Sequence, residues 1–207
     1  MMNMLIEISS RGCRWVRRFR KRCGYGIHSP FVFNLVTGVI YEKWQYYAYS
    51  ELHSLRTSQN AFLREKDDRL LFRLVNQHQP SNGIVIGDDI GITERYMKSG
   101  CTHAKWINLS LDNLNQLPHI MFSLGKVDFI YVDVCSDLSS LIDQILPFTH
   151  DHSLLVIRNI HDSKENSSVW QNLILDPHSR VSLDLYDFGL VYFEERLNKE
   201  DFIINYF

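Results

Sequence analysis

The chain has 207 residues, a net charge of −2, 45% hydrophobic and 13% aromatic residues. That length can bury a sizeable core in one domain, and the composition excludes a disordered or fibrous chain. No apolar run approaches the roughly 20 residues of a membrane-spanning helix, and the start, MMNMLIEISSRGC, lacks the charge order of a secretory signal.

The charge is unevenly spread. Through residue 64 there are ten Lys/Arg against three Asp/Glu, and beyond it twelve against twenty-one. The basic excess sits in MLIEISSRGCRWVRRFRKRCG, where Leu5, Ile8, Trp15, Val16, Phe19 and Cys23 fall near helical spacing. An amphipathic helix docked on the acidic body is the simplest reading. The interleaved aromatics and bases of residues 11–22 also leave an anionic membrane surface or nucleic acid as sharper alternatives, neither backed by a recognised binding module. Gly24 and Gly26 stop this segment. In HSPFVFNLVTGVI, Ser29 suits an N-cap and Pro30 the first helical turn. The stretch YEKWQYYAYSELHSLR has helical character, and its tyrosines Tyr41, Tyr46, Tyr47 and Tyr49 either line a pocket or pack the cap. DDRLLFRLVNQHQP repeats apolar residues at Leu70, Leu71, Leu74 and Val75. Residues 1–80 therefore read as a helical cap, and 81–207 as an α/β domain in one unit with it.

From Gly83 strands and helices alternate. GIVIG, AKWINLS, VDFIYVDV and SLLVIRNI read as strands. IGITERYMKSG and DLSSLIDQILPF read as helices, Asp137 capping the second, and LDNLNQLPHIMFSLG as a helix or irregular crossing. In DSKENSSVWQNLIL, Asp162 and Glu165 have the spacing of a capping box. The end, VSLDLYDFGLVYFEERLNKEDFIINYF, gives three strands in close succession, with an antiparallel edge around Gly189. This alternation implies a mostly parallel sheet covered by helices on both faces. Cys13, Cys23, Cys101 and Cys135 are widely spaced without a CxxC pair, and read as free buried thiols of a cytoplasmic protein.

The order strand–GDDIG–helix, then DFIYVDV, LLVIRNIHDSKE and a closing hairpin, resembles the Rossmann-like S-adenosylmethionine-dependent methyltransferases. The segment GYGIHSPFVFNLVTGVI, residues 24–40, is similar to the N-terminal stretch of bacterial O-methyltransferase-like proteins, and the resemblance covers most of residues 15–207. It implies S-adenosylmethionine as cofactor and a small-molecule acceptor, and leaves a homo-oligomer open. In such a site a glycine loop at a helix N-terminus receives the cofactor's carboxylate, and an acid at the end of the second strand takes the ribose hydroxyls. Carried onto this sequence, the cofactor residues are Gly87, Asp88, Gly91, Asn108 and Asp133.

Several of these positions depart from the family's pattern. Its acid two residues before the first loop glycine is Val85 here, and the small polar pair between the glycines is Asp88–Asp89. Asp89 is expected to cap the following helix, with Asp88 facing the cofactor position as an extra charge. The second strand ends INLS, so the ribose acid falls at Asn108 or Leu109, neither acidic, and Asp112 can substitute only if the strand runs longer. Only 17 residues separate Ser110 from Asp128, which implies a sheet shortened by one β–α unit. Where catechol-type members hold a metal with an acid and an Asp–Asn or Asp–Asp pair, this chain has Asp133 and Arg158–Asn159. A guanidinium cannot ligate a cation, so no metal is expected and Arg158 should pair with Asp133. No catalytic residue is assigned: His28 and His161 could each serve as a base, and a structural role is the simpler reading for both. Two functions stand open, a methyltransferase acting on a small molecule and a non-catalytic protein of the same fold that binds a partner.

Overall fold

The computed structural model describes residues 26–88, 90–133 and 135–206. The basic helix expected within residues 1–23, and Asp89, lie outside them. Pro30–Leu35 forms α1, with Ser29 at its N-cap, and runs into a π-helical turn over Val36–Ile40. The Tyr-rich stretch that follows is helical only at Tyr49–Ser54, α2. Glu65–His78 is α3, ended by Gln79 in the left-handed conformation one residue before Pro80.

The sheet is built from β1 (Asn82–Ile86), β2 (Lys105–Leu109), β3 (Phe129–Val132), β4 (Leu154–Arg158), β5 (Val181–Asp184), β6 (Phe188–Tyr192) and β7 (Glu200–Ile203). Between the early strands run α4 (Ile92–Gly100), a 3-10 turn (Leu111–Gln116) followed by α5 (Leu117–Leu124), α6 (Leu138–Ile145) and α7 (Lys164–Leu175). The strand order is β2-β1-β3-β4-β6-β5-β7. Strands β2, β1, β3 and β4 are mutually parallel, and β6 runs antiparallel between β4 and β5. The antiparallel character expected at the C-terminal edge thus lies one place inside it. The outermost strand, β7, pairs parallel with β5, because the chain has to cross over after β6 to reach the free side of β5.

At the other edge β2 has no outer neighbour among the described residues, since β2 and β3 are joined by the 3-10 turn and α5. The missing β–α unit inferred from 17 residues is therefore missing from the structure. A strand added at one side offsets a strand lost at the other, and the sheet keeps seven.

Strand residues alternate between two cores. Val85, Phe129, Tyr131, Leu154, Val156 and Leu190 pack with α1 and α3. Ile84, Ile86, Ile130, Val132, Leu155 and Ile157 pack with α5, α6 and α7. Burial on both faces is why these strands read as continuous apolar runs. Each fully buried large side chain contributes about 1.5–3 kcal/mol, and every residue of β3 is 0% exposed. Helix α6 is capped by Asp137, whose side chain accepts from the Ser140 amide, as its sequence implies. In α7 the cap is Ser163 on the Asn166 amide, one residue past the expected Asp162. Cys101 and Cys135 are buried and free.

Candidate functional site

In an open parallel sheet, ligands bind beyond the carboxyl ends of the strands. Here that position is framed by the loop after β1, Asp133 after β3, and Arg158–Asn159 at the end of β4. Gly87 comes so close to the β3 end that a Cβ on it would lie 2.6 Å from Asp133 Cβ. Its amide donates to Leu109 O at 3.0 Å, and the Asp133 amide donates to Ile86 O at 2.8 Å, so the turn is pinned from both sides. Arg158 Nη1 donates to Asp133 Oδ1 at 2.8 Å, forming the expected ion pair. Burial works against the Arg158 charge, but Asp133 more than offsets it and holds the guanidinium's pKa above its ordinary value. Among the described residues no group of three His, Cys, Asp or Glu could hold a metal ion.

Asp88 is exposed at this loop. Its Oδ1 accepts from Ser110 Oγ at 2.7 Å and from the Leu111 amide at 2.8 Å. The loop aspartate therefore ties the β1 turn to the end of β2, where the family's ribose acid would stand. Asn108 lies within β2 opposite Val85, is exposed, and hydrogen-bonds Glu94 of α4 rather than facing the cleft.

The N-terminus of α4 is closed by the chain itself. Gly91 is the N-cap, with φ +48° and ψ −123°, a conformation that suits glycine. The first helical amide, Ile92 N–H, donates to Asn60 O at 2.9 Å. A Cβ at Gly91 would collide with that carbonyl, and the Phe62 ring would be 2.9 Å away. A second tie follows at once: Thr93 Oγ1 donates to Asp68 Oδ1 at 2.6 Å, and Arg56 is ion-paired with the same carboxyl. Burial pushes the Asp68 carboxyl up to about 6, with Thr93 and Arg56 opposing. Arg56 Nη2 also donates to Leu63 O at 2.7 Å, which fixes the connector between α2 and α3 against α4.

A further bridge spans cap and sheet. Arg64 chelates Asp67 at 2.6 and 3.1 Å and reaches Asp187, in the β5–β6 turn, at 2.5 Å. Beneath this bridge lies Tyr131, wholly buried, its hydroxyl without a hydrogen-bond partner among the described residues. Desolvation, and then the charge of Asp133, drive its pKa well above normal. His161 Nε2 meets Asp184 Oδ2 at 2.8 Å and its ring stacks on Tyr186, which has φ +78°. His28 is exposed near the start of the described chain. The structure thus gathers Gly87, Gly91, Asp88 and Asp133 around one cleft and leaves Asn108 and His28 outside it. Sequence reasoning missed Asn60, Arg56, Asp68 and Arg64, which close that cleft. The acids and bases among them were visible, but their spacing carries no signature.

Three positions that the resemblance assigns to the cofactor are changed or already hydrogen-bonded: Asn60 O accepts from the first amide of α4, Asp88 Oδ1 accepts from Ser110 and Leu111, and β2 ends without an acid.

No protein-family model and no curated protein matches the sequence. Solved structures do match in shape. The S-adenosylhomocysteine-bound methyltransferase PaMTH1 of Podospora anserina has a TM-score of 0.53 at 10% identity, over 71% of this chain and 86% of that one. An O-methyltransferase from Bacillus cereus, in complex with S-adenosylhomocysteine, has a TM-score of 0.53 at 13% identity, over 78% and 97%. The O-methyltransferase TomG of Streptomyces achromogenes, involved in tomaymycin synthesis and in complex with S-adenosylmethionine, has 0.52 at 14%, over 72% and 91%. Strand order, the glycine turn and these likenesses agree, and the chain has the Rossmann-like α/β fold of the S-adenosylmethionine-dependent methyltransferases.

Proposed function

We propose that the chain is a non-catalytic protein of the methyltransferase fold, acting by binding a partner or a second copy rather than by transferring a methyl group. The Asn60 carbonyl on the first amide of α4 carries this reading. That amide is one of those a helix N-terminus offers to an anion, and an internal acceptor already satisfies it. A cofactor would have to displace the 57–63 connector, exchanging this hydrogen bond and disturbing the Arg56 and Arg64 ties, each worth about 1 kcal/mol or more. No helix among the described residues is long and apolar enough to cross a membrane, and the free thiols Cys101 and Cys135 favour the cytoplasm.

A second reading, methyl transfer from S-adenosylmethionine to a small-molecule oxygen, is favoured by Tyr131 and Gly87. A buried hydroxyl lacking a partner beside Asp133, next to a glycine with no room for a side chain, is what a site missing its polar ligand presents. Titration of the purified chain with S-adenosylmethionine and S-adenosylhomocysteine by calorimetry separates the two. The non-catalytic reading expects no heat and no rise in melting temperature at millimolar ligand; micromolar binding of either compound overturns it.

A further inference from the structure

The amino ends of the strands, opposite the cleft, hold a cavity of about 650 Å³. Helix α1, the π-helical turn after it, the last turn of α3, the loops ahead of β3 and β4 and the end of β6 surround it. Its floor is apolar. Leu35, Val39, Leu74 and Tyr192 are all buried there, and the Phe31 ring stands edge-on to Tyr192 at 5.1 Å. Gly38 lies in its wall, within the π turn, and a Cβ added to it would meet nothing within 4 Å.

The rim is acidic. Asp128, Asp151 and Glu194 line the cavity, and its described lining includes no Lys or Arg. Asp128 accepts from His150 and from the Ser81 amide. Asp151 is exposed, and Glu194 meets Arg196, whose side chain is 82% exposed, a screened pair of little strength. An apolar floor inside an acidic rim suits large apolar side chains flanked by cations.

The chain itself carries such a segment. Residues 11–22 hold Trp15, Val16 and Phe19 among seven Arg/Lys and contain no Asp or Glu. The segment joins the described chain at Gly26, only five residues ahead of Phe31 in the cavity wall. A tether this short gives the segment a local concentration that a separate molecule would not match.

Other faces offer this segment less. The cleft acids Asp67, Asp68 and Asp133 are buried against Arg64, Arg56 and Arg158. The recess outside α3 is lined by Lys43, Lys66, Arg69 and Arg73, which would repel it.

We propose that residues 11–22 dock in the cavity at the amino ends of the strands, with Trp15 and Phe19 on its apolar floor and the flanking arginines on Asp151 and Glu194. The docked segment keeps its arginines from anionic surfaces. This inference is independent of whether the cofactor cleft is open or closed.

Fluorine NMR of the full chain labelled with fluorotryptophan tests it. The four labelled positions are Trp15, Trp44, Trp106 and Trp170, and Trp15→Phe assigns the first. Trp44 is 78% exposed and Trp170 is 1% exposed, so they mark the two limits. On replacing water by heavy water, the Trp15 signal should stay still, as that of Trp170 does, while that of Trp44 moves. Gly38→Leu places a side chain in the cavity without straining the helical backbone, and should make Trp15 as solvent-sensitive as Trp44. The unchanged Trp170 signal certifies the fold. Asp151→Lys combined with Glu194→Lys should act in the same direction. A Trp15 signal already as sensitive as Trp44 in the wild type overturns the proposal. So does a protected Trp15 that neither variant moves, which places the segment elsewhere. Protection that is lost on about tenfold dilution also overturns it, because the segment then enters the cavity of a second copy.

Discussion

The two faces of α3 carry charges of opposite sign and opposite fates. Toward the cleft, Asp67 and Asp68 are 2% and 0% exposed, and each is answered from within the chain, by Arg64 and Arg56. On the outer face Arg73 is nearly as buried at 6%, but its partners are two carbonyls and the phenols of Tyr49 and Tyr206. One helix thus pairs its inward acids within the chain and carries a buried guanidinium held by neutral groups on its outer side. Burial alone does not mark a binding site, because both signs of buried charge find their partners within the chain.

The strongest way to break this contrast is Arg56→Ala. It leaves Asp68 buried beside Thr93 with its counter-charge gone, and removes the tie to Leu63 O. The expected loss is about 3 kcal/mol in urea unfolding, limited from above because Asp68 can then take up a proton. A loss below about 0.5 kcal/mol would mean that the ion pair is not holding the cap.

Asp68 also sharpens the contrast through pH. Its folded-state pKa is raised from 3.8 to about 6, chiefly by desolvation. A raised acid favours the protonated fold, so its contribution is fully present below the unfolded value and is lost as pH rises through about 6. Subtracting the stability of Asp68→Asn from that of the wild type should give a curve that falls between pH 4 and pH 6 by on the order of 2 kcal/mol. A flat difference curve would show a fully compensated carboxylate instead.

The smallest effect belongs to the outer face. Arg69 pairs with Glu65 one helical turn away, both side chains more than a quarter exposed. Arg69→Ala should cost no more than about 0.5 kcal/mol, as read from the same urea curves. A loss approaching that of Arg56→Ala would erase the distinction between the two faces.

Much of this fold could be read directly. Strands buried on both faces announce themselves as GIVI, FIYV and LLVI, because every residue of such a strand must be apolar. Asp137 stands just ahead of its helix, and the 17-residue interval after Ser110 is too short for the family's helix–strand–helix. The Asp133–Arg158 pair followed from chemistry, since a guanidinium at a metal-ligand position needs an anion. The closed cleft was not legible. Asn60 blocks α4 with a backbone carbonyl, which any residue could supply, and the loop SQNAFL has no pattern that predicts where it docks. The partners of Asp88 were not legible for a related reason. Its partners, Ser110 and Leu111, are 22 and 23 residues away, and only the pairing of β1 with β2 brings them together. The cavity at the amino ends of the strands depends on Phe31, Leu74, Asp151 and Tyr192, which no local window contains.

The loss of a unit beside β2 and the addition of β7 leave the sheet with two edges that no further strand covers among the described residues, and a bare edge is a template for another chain. The β2 edge carries Lys105, and the β7 edge carries Glu200 and Asp201. Opposite edges attract, and that contact is heterologous and does not close on itself. Where this sheet associates through its margins, the geometry favours growth head to tail, and the charges on two short strands set its direction.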